Sequence, residues 1–366
     1  MKVMICSAAG AFLALASPLA GAGPTTTAAD RAADKTPYVI TARWPVGGPG
    51  GWDYLTLDQP RHRLFVARGD RVDVIDIESG KVAGRISGTA GVHGVALAPR
   101  LRRGFTSNGR ANSVIAFELD ALKPSQEIRV SGLNPDAIYY DEPSQRVFTF
   151  NAKSSNATVL DAQALGIVGT IALAGPPEFA AGDGHGRVYV NIATDPGQIQ
   201  VIDSRSLALV ATWTLPGCVN PTGLAIDAAG RRLFSACENK QMVVTDAATG
   251  RRVTSARIGE DPDAIAIDGT LGLVFVSSGA SGTLNVMRLL DADHLQRLAD
   301  VRTQLSARTL ALDTATHRIY LAAATYEPAS IAAADQPPRI VPDSFAILVA
   351  EPGSPAAASA TPRPKP

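Results

Sequence analysis

Seven times along the chain an aromatic residue stands in the middle of a short triplet: Leu64-Phe65-Val66, Gly104-Phe105-Thr106, Val147-Phe148-Thr149, Val188-Tyr189-Val190, Leu233-Phe234-Ser235, Val274-Phe275-Val276 and Ile319-Tyr320-Leu321. Successive aromatics are 40, 43, 41, 45, 41 and 45 residues apart. A repeat of this length built from short alternating runs holds four strands, and such a unit buries its faces only against copies of itself on either side. Units with a period in the low forties close into a ring, so the expected fold is all-β, a seven-bladed β-propeller with one blade per repeat.

Each repeat has the same internal order. An apolar run closes in Asp, as in Leu55-Thr56-Leu57-Asp58, Leu224-Ala225-Ile226-Asp227 and Ile265-Ala266-Ile267-Asp268. A turn follows, where Asp can bond the amides ahead of it and Gly accepts positive φ. Then come the aromatic strand, a β-branched strand such as Ile199-Gln200-Val201-Ile202-Asp203, and a fourth strand such as Lys81 to Ile86. The seventh repeat runs out after Phe345 to Ala350, and the missing partner is the strand-like Tyr38 to Val46, which would close the ring.

The succession of Phe/Tyr-Val, Val-x-Val-Ile-Asp, a turn, and then Pro before an apolar run resembles the YVTN-type repeat family of β-propellers, and within it the YncE-like periplasmic proteins. Residues Leu64 to Ile86 and Pro221 to Ile258 carry the likeness best, and it extends over roughly residues 38 to 351. The resemblance implies the propeller fold and a periplasmic or secreted setting. It implies no single activity, since members include DNA binders and enzyme domains.

Lys2, the apolar run from Val3 to Ala16 and the small residues Ala20-Gly21-Ala22 read as a signal peptide over residues 1–22, carrying Cys6 away with it; an uncleaved anchor is the alternative. Residues 23–35 read as a flexible linker, 36–351 as the propeller and 352–366 as a disordered Pro/Ala tail. No other segment is apolar enough to span a membrane. Lys plus Arg and Asp plus Glu are equal at 34 each, a balance that disfavours nucleic acid as a partner. The expected state is a monomer.

Cys218 and Cys237 flank the first hairpin of the fifth repeat. Pairing Ile226 with Leu233 sets Thr222 opposite Cys237 and brings Cys218 within a few residues, which in an exported protein reads as a disulfide; two free thiols and a metal or redox pair are the alternatives.

The residue five places before each terminal Asp, or its equivalent, defines a ring at one rim of the channel: Asp53, His93, Asp136, Glu178, Thr222, Asp263 and Arg308. Four carboxylates, a His and an Arg around one mouth could hold a polar ligand or a cation, or simply cap loop amides on a wet rim. The insert from Thr325 to Pro342, carrying Tyr326, Asp335 and Arg339, falls on the same rim and reads as a lid or as disorder. His62, His185, His294 and His317 are scattered among turns, and Trp44, Trp52 and Trp213 are either exposed at blade edges or packed. No phosphate loop, nucleophile elbow, His-Glu-x-x-His or Cys-x-x-Cys is present.

Three functions are therefore carried forward. The first is a non-enzymatic exported scaffold that binds an unidentified protein or small molecule at the channel mouth, with no cofactor. The second is a lactonase-like hydrolase in which Asp53, Asp136, Glu178 and Asp263 hold a divalent cation and His93 accepts a proton. The third is a DNA-binding periplasmic propeller.

Overall fold

The computed structural model of the protein describes residues 38–328 and 338–353. The segments expected as signal peptide and linker, Asp335, and the residues beyond 353 lie outside the described residues. Nearly all the described chain is antiparallel strand, arranged as five four-stranded sheets and one seven-stranded sheet. In each four-stranded sheet assembled from consecutive strands, the innermost is the run that ends at or just before an Asp: Pro135–Asp141, Pro177–Gly182 ahead of Asp183, Pro221–Asp227 and Pro262–Asp268. These inner strands, together with Leu55–Asp58, the second half of Lys81–Ala98 and Thr309–Asp313, touch one another in sequence, and the last touches the first. The result is a closed circle of inner strands with sheets radiating outward.

The seven-stranded sheet departs from the repeat reading. The 18-residue strand Lys81–Ala98 pairs through Lys81 to Ser87 with Gly69–Asp76, and through Val92 to Ala98 with Arg103–Asn108. It is thus the outer strand of the first repeat and the inner strand of the second without a break. Gly88 and Gly91, at φ of 83° and 71°, let the chain swing inward between the two roles, and a single Gly69–Val92 pair keeps the ladder continuous.

The N-terminal strand Tyr38–Pro45 is the outermost of the last sheet. It runs antiparallel to Ala346–Pro352, from Tyr38 opposite Pro352 to Pro45 opposite Ala346. The pairing covers the ladder edge of Ala346–Pro352. That last strand extends to Pro352, the first residue of the expected tail.

The core lies between the sheets. The seven repeat aromatics are all buried, six of them completely and Tyr189 with 4% exposure. Phe65, Val74 and Ile86 of one repeat interlock with Val95 and Phe117 of the next, and Phe105 and Val114 with Tyr140 and Val147 of the one after. Burying a side chain of this size contributes about 1.5–3 kcal/mol, so each inter-sheet layer is held mainly by these rings and their β-branched neighbours.

A second periodic device ties neighbouring sheets. In four repeats the Arg that opens the aromatic strand reaches sideways to a backbone carbonyl: Arg63 to Leu119, Arg103 to Ala162, Arg146 to Ser204 and Arg232 to Ala292. In the fourth repeat the Tyr189 hydroxyl takes over, donating to the carbonyl of Ala247 at 3.1 Å. All three Trp residues pack. Trp44 and Trp213 lie against Gly80 and Gly250, where a Cβ would fall 2.6 Å and 2.2 Å from the rings, and Trp52 is buried against Phe345.

Cys218 and Cys237 form a disulfide with their Cα atoms 5.4 Å apart. The residue opposite Cys237 is Pro221, and not Thr222 as the hairpin count implied, because the register slips between Pro221 and Leu224.

Candidate functional site

The same kind of slip recurs around the molecule at corresponding places. Register shifts lie between Val92 and Gly94, Thr149 and Asn151 (the partners of Ile138 and Pro135), Pro177 and Ala180, Pro221 and Leu224, and Pro262 and Ala264. Each is a β-bulge that takes in one ring position: His93, Asp136, Glu178, Thr222 and Asp263. In four of them a Pro stands immediately before the ring residue, at the first position of the strand, where its missing N–H costs the ladder nothing. A bulge turns the strand and re-aims a side chain, and here it does so at the mouth of the channel. The bulges were not anticipated from the repeat count, although the Pro-Asp, Pro-Glu and Pro-Thr pairs were a signal for them.

Asp53 reaches the mouth by another route. The Gly-rich loop before it wraps the guanidinium of Arg68, which is fully buried, lies 3.6 Å over the ring of Phe345 and donates to the carbonyls of Gly47, Gly48, Pro49, Gly50 and Gly51. Its counter-charge is Asp73, 3.6 Å away and fully buried. Burial lowers the Arg68 pKa to about 10 despite Asp73, and the guanidinium stays charged at neutral pH. An unbranched run of Gly and Pro has no side chains to hold a shape, and five carbonyls gathered on one cation supply it.

The mouth has two charged groups. On one side the His93 Nδ1 lies 2.7 Å from Asp53 Oδ2 and 3.7 Å from Asp136 Oδ1. Burial opposes protonation of this imidazole, but the Asp53 hydrogen bond and the Asp136 and Asp53 charges outweigh it and lift the pKa to about 9, so His93 is a cation at neutral pH. On the other side the Arg308 Nε stands 3.3 Å from Asp263 Oδ2, and Arg308 donates to the carbonyl of Trp52. The Thr309 hydroxyl donates to the Asp53 carbonyl at 3.0 Å, joining the first and last inner strands.

Below these charges the channel is crossed by aromatic rings. Tyr54 and Phe179, carried by different sheets, meet edge to face with centroids 4.3 Å apart, and the Tyr54 hydroxyl bonds Asp136. The mouth is a cup with an aromatic floor. Desolvation and mutual repulsion make its carboxyls weak acids: burial raises Asp136 to about 6 against the pull of His93, and Asp263 to about 7 against that of Arg308. Glu178 has no ion pair with a cation among the described residues, and burial together with Asp136 and Asp263 raises it to about 8. Two cations face four carboxyls, and the deficit is stored as bound protons.

Of the seven ring positions, Asp53, His93 and Asp136 form one tight group, with one donor atom from each all within 4.8 Å of one another, a spacing compatible with a cation. Asp263 and Arg308 form the other group. Glu178 is tied to both groups through the charges of Asp136 and Asp263, which hold its proton on. Thr222 contributes no free polar group, because its hydroxyl donates to the Pro262 carbonyl at 2.7 Å. Tyr54, Phe179 and Trp52 were not among the ring residues, since they sit next to ring positions and their contacts arise only on closure.

No family model matches the chain, and no curated protein does. Solved structures do. The WD40 repeats of RRP9 align with a TM-score of 0.73 at 11% identity, covering 87% of this chain and all of theirs. A chain of the mitotic checkpoint complex aligns at 0.69 and 15% identity, over 85% of this chain and 96% of that one. Hydrazine synthase of Kuenenia stuttgartiensis aligns at 0.65 and 16% identity, over 77% and 95% respectively. At these identities the likeness concerns fold alone, and the fold is that of a β-propeller.

Proposed function

We propose that this protein is an exported, seven-bladed β-propeller of the YVTN-repeat, YncE-like kind, and that it works as a binding scaffold whose partner docks at the channel mouth. The observation that carries the reading is the convergence of Asp53, His93, Asp136, Asp263 and Arg308 from separate sheets, in a cup left with more carboxyls than cations. The blade count rests on the closed circle of inner strands, with the seven-stranded sheet read as two blades sharing Lys81–Ala98. Among the described residues no helix is long and apolar enough to cross a membrane. A scaffold use fits a fold in which interaction repeats are common, and rigid strand ends hold charged groups in fixed geometry.

The test is a double substitution, Asp136→Asn with Asp263→Asn, compared with wild type in capture of partners from a periplasmic extract. The variant keeps its fold by circular dichroism and loses the partner. Retention of the partner, with loss on altering the opposite rim, sinks the assignment.

A second reading, a metal-assisted hydrolase, draws support from the Asp53, His93 and Asp136 donor group. Metal would have to displace the proton that His93 holds, so affinity for a divalent ion rises with pH. Metal analysis of purified protein, beside a lactone and ester hydrolysis screen, decides between the two.

A further inference from the structure

Next to the cup, at the base of the Thr325–Pro342 insert, lies a separate cavity of about 360 Å³ lined by Asp261, Gly279, Ala280, Leu305, Ser306, Arg308, Tyr326 and Pro338. Its walls are chemically divided. Leu305, which is 52% exposed, Ala280, Pro338 and the ring of Tyr326 make an apolar side. Arg308 and Asp261 make a bipolar side. Arg308 stands in ion-pair contact with Asp263 through an Nε that makes no hydrogen bond, and its Nη2 donates to the Trp52 carbonyl, while the Asp261 carboxylate makes no hydrogen bond or close ion pair among the described residues and acts on Arg308 through its charge alone.

Gly279 leaves room beside the Asp261 carboxylate and the stem of Arg308. Its φ is not in the left-handed region, so the backbone does not demand glycine there. Space does, because a Cβ at this position would lie 2.7 Å from Asp261 Oδ2 and 2.8 Å from Arg308 Cβ. The cavity is framed by fixed structure. Tyr326 stacks on Trp52 with centroids 6.3 Å apart and bridges to Ile340, and the Gly279 amide donates to the Asp261 carbonyl at 2.8 Å.

We infer that this cavity is a binding site for a free α-amino acid with an apolar side chain, its carboxylate on Arg308, its ammonium on Asp261 and its side chain against Leu305, Ala280 and Tyr326. A guanidinium and a carboxylate that makes no hydrogen bond among the described residues match the two charges of such a zwitterion, and neither a simple anion nor a simple cation would satisfy both. A cavity of this size suits a small ligand and not a peptide chain. The inference rests on the reading of this rim as the binding face, and it specifies the ligand class of one part of it.

The experiment is calorimetric titration of the full mature chain with L-leucine, L-leucinamide and 4-methylpentanoate. Leucine binds saturably, and each analogue, lacking one charge, binds at least about tenfold more weakly, the cost of leaving a charged partner unmet. Asp261→Asn, a change at an exposed position, weakens leucine at least about tenfold, and Gly279→Ala abolishes binding by filling the space. Absence of leucine binding at millimolar concentration, equal affinity for the three probes, or unchanged affinity in Asp261→Asn overturns the inference. The two readings fail separately. Lost leucine binding beside a partner that still depends on Asp136 and Asp263 refutes only the cavity, and leucine binding that obeys these variants beside a partner indifferent to Asp136 and Asp263 refutes only the wider rim.

Discussion

At the residue scale, two side chains concentrate the energetics of the mouth. Arg68 is a buried cation whose worth lies in what it organises, the loop from Gly47 to Gly51 and hence the approach to Trp52 and Asp53. Replacing it with Leu fills the volume but leaves five carbonyls and part of Asp73 without a donor. The expected loss is about 3 kcal/mol, as for other broken buried ion pairs, read by urea denaturation. Asp73 keeps Arg71 and Arg85 at 3.2 Å and 2.8 Å, so the loss stays near the lower end of that class.

Glu178 makes a prediction about pH. Its folded pKa of about 8 lies above the ordinary carboxyl value, so the folded state holds a proton that the unfolded chain has released. That contribution is fully present below about pH 4.5 and is lost as pH rises toward 8. His93, raised to about 9, acts in the same direction, its contribution being lost as pH climbs from about 6.5 through 9. The melting temperature of wild type therefore declines between pH 5 and 8 as far as these groups are concerned. Glu178→Gln flattens the slope, and a slope unchanged in that variant would show that the cup is not the cause.

At the scale of the element, the fifth repeat shows how a local constraint is built. The bulge at Thr222 puts Pro221 opposite Cys237, and the loop from Cys218 follows along the same edge. Residues 219 to 236 form the loop closed by the bridge, so reduction costs up to about 3 kcal/mol in the chain-entropy account. Both cysteines are almost wholly buried, so the bridge resists mild reductant while the protein is folded. Alkylation in denaturant without reductant should label neither thiol. Two labelled thiols by mass would remove the bridge from the account.

At the scale of the whole molecule, closure matters most. The last sheet is completed only when Tyr38–Pro45 pairs with Ala346–Pro352 as its outermost strand, where Tyr38 also packs on Phe275 at 4.8 Å and its hydroxyl donates to the His317 carbonyl. Deleting residues 36–46 removes a ladder, an aromatic contact and a latch together, and bares the edge of the last sheet. The expected outcome is a fall in melting temperature of about 10 °C or more, since each kcal/mol is worth roughly 2–4 °C or less in a chain of this size, and a new tendency to associate. A variant that melts like wild type and stays monomeric would mean that the ring is held by its core alone.

The aromatic period, the Asp that ends each inner run and the strand left over at the N-terminus are local facts of the chain, because strand alternation and turn chemistry act over a few residues; from them the repeated sheets and the pairing of the two ends could be read directly. The ring positions were legible only as equivalent places in a repeat. The tertiary structure decided the rest. It merged two repeats through Lys81–Ala98, where two glycines allowed one strand to serve both, and it set a bulge at five ring positions. It drew Asp53, His93 and Asp136 into one group while sending Asp263 to Arg308 and turning the Thr222 hydroxyl to a carbonyl. It brought Tyr54 onto Phe179 from 125 positions away in the chain. Distances between residues on different sheets depend on how a closed circle sums its twists and bulges, and so do the shared field and the lost water that raise the carboxyl pKa values. No stretch of sequence carries that sum.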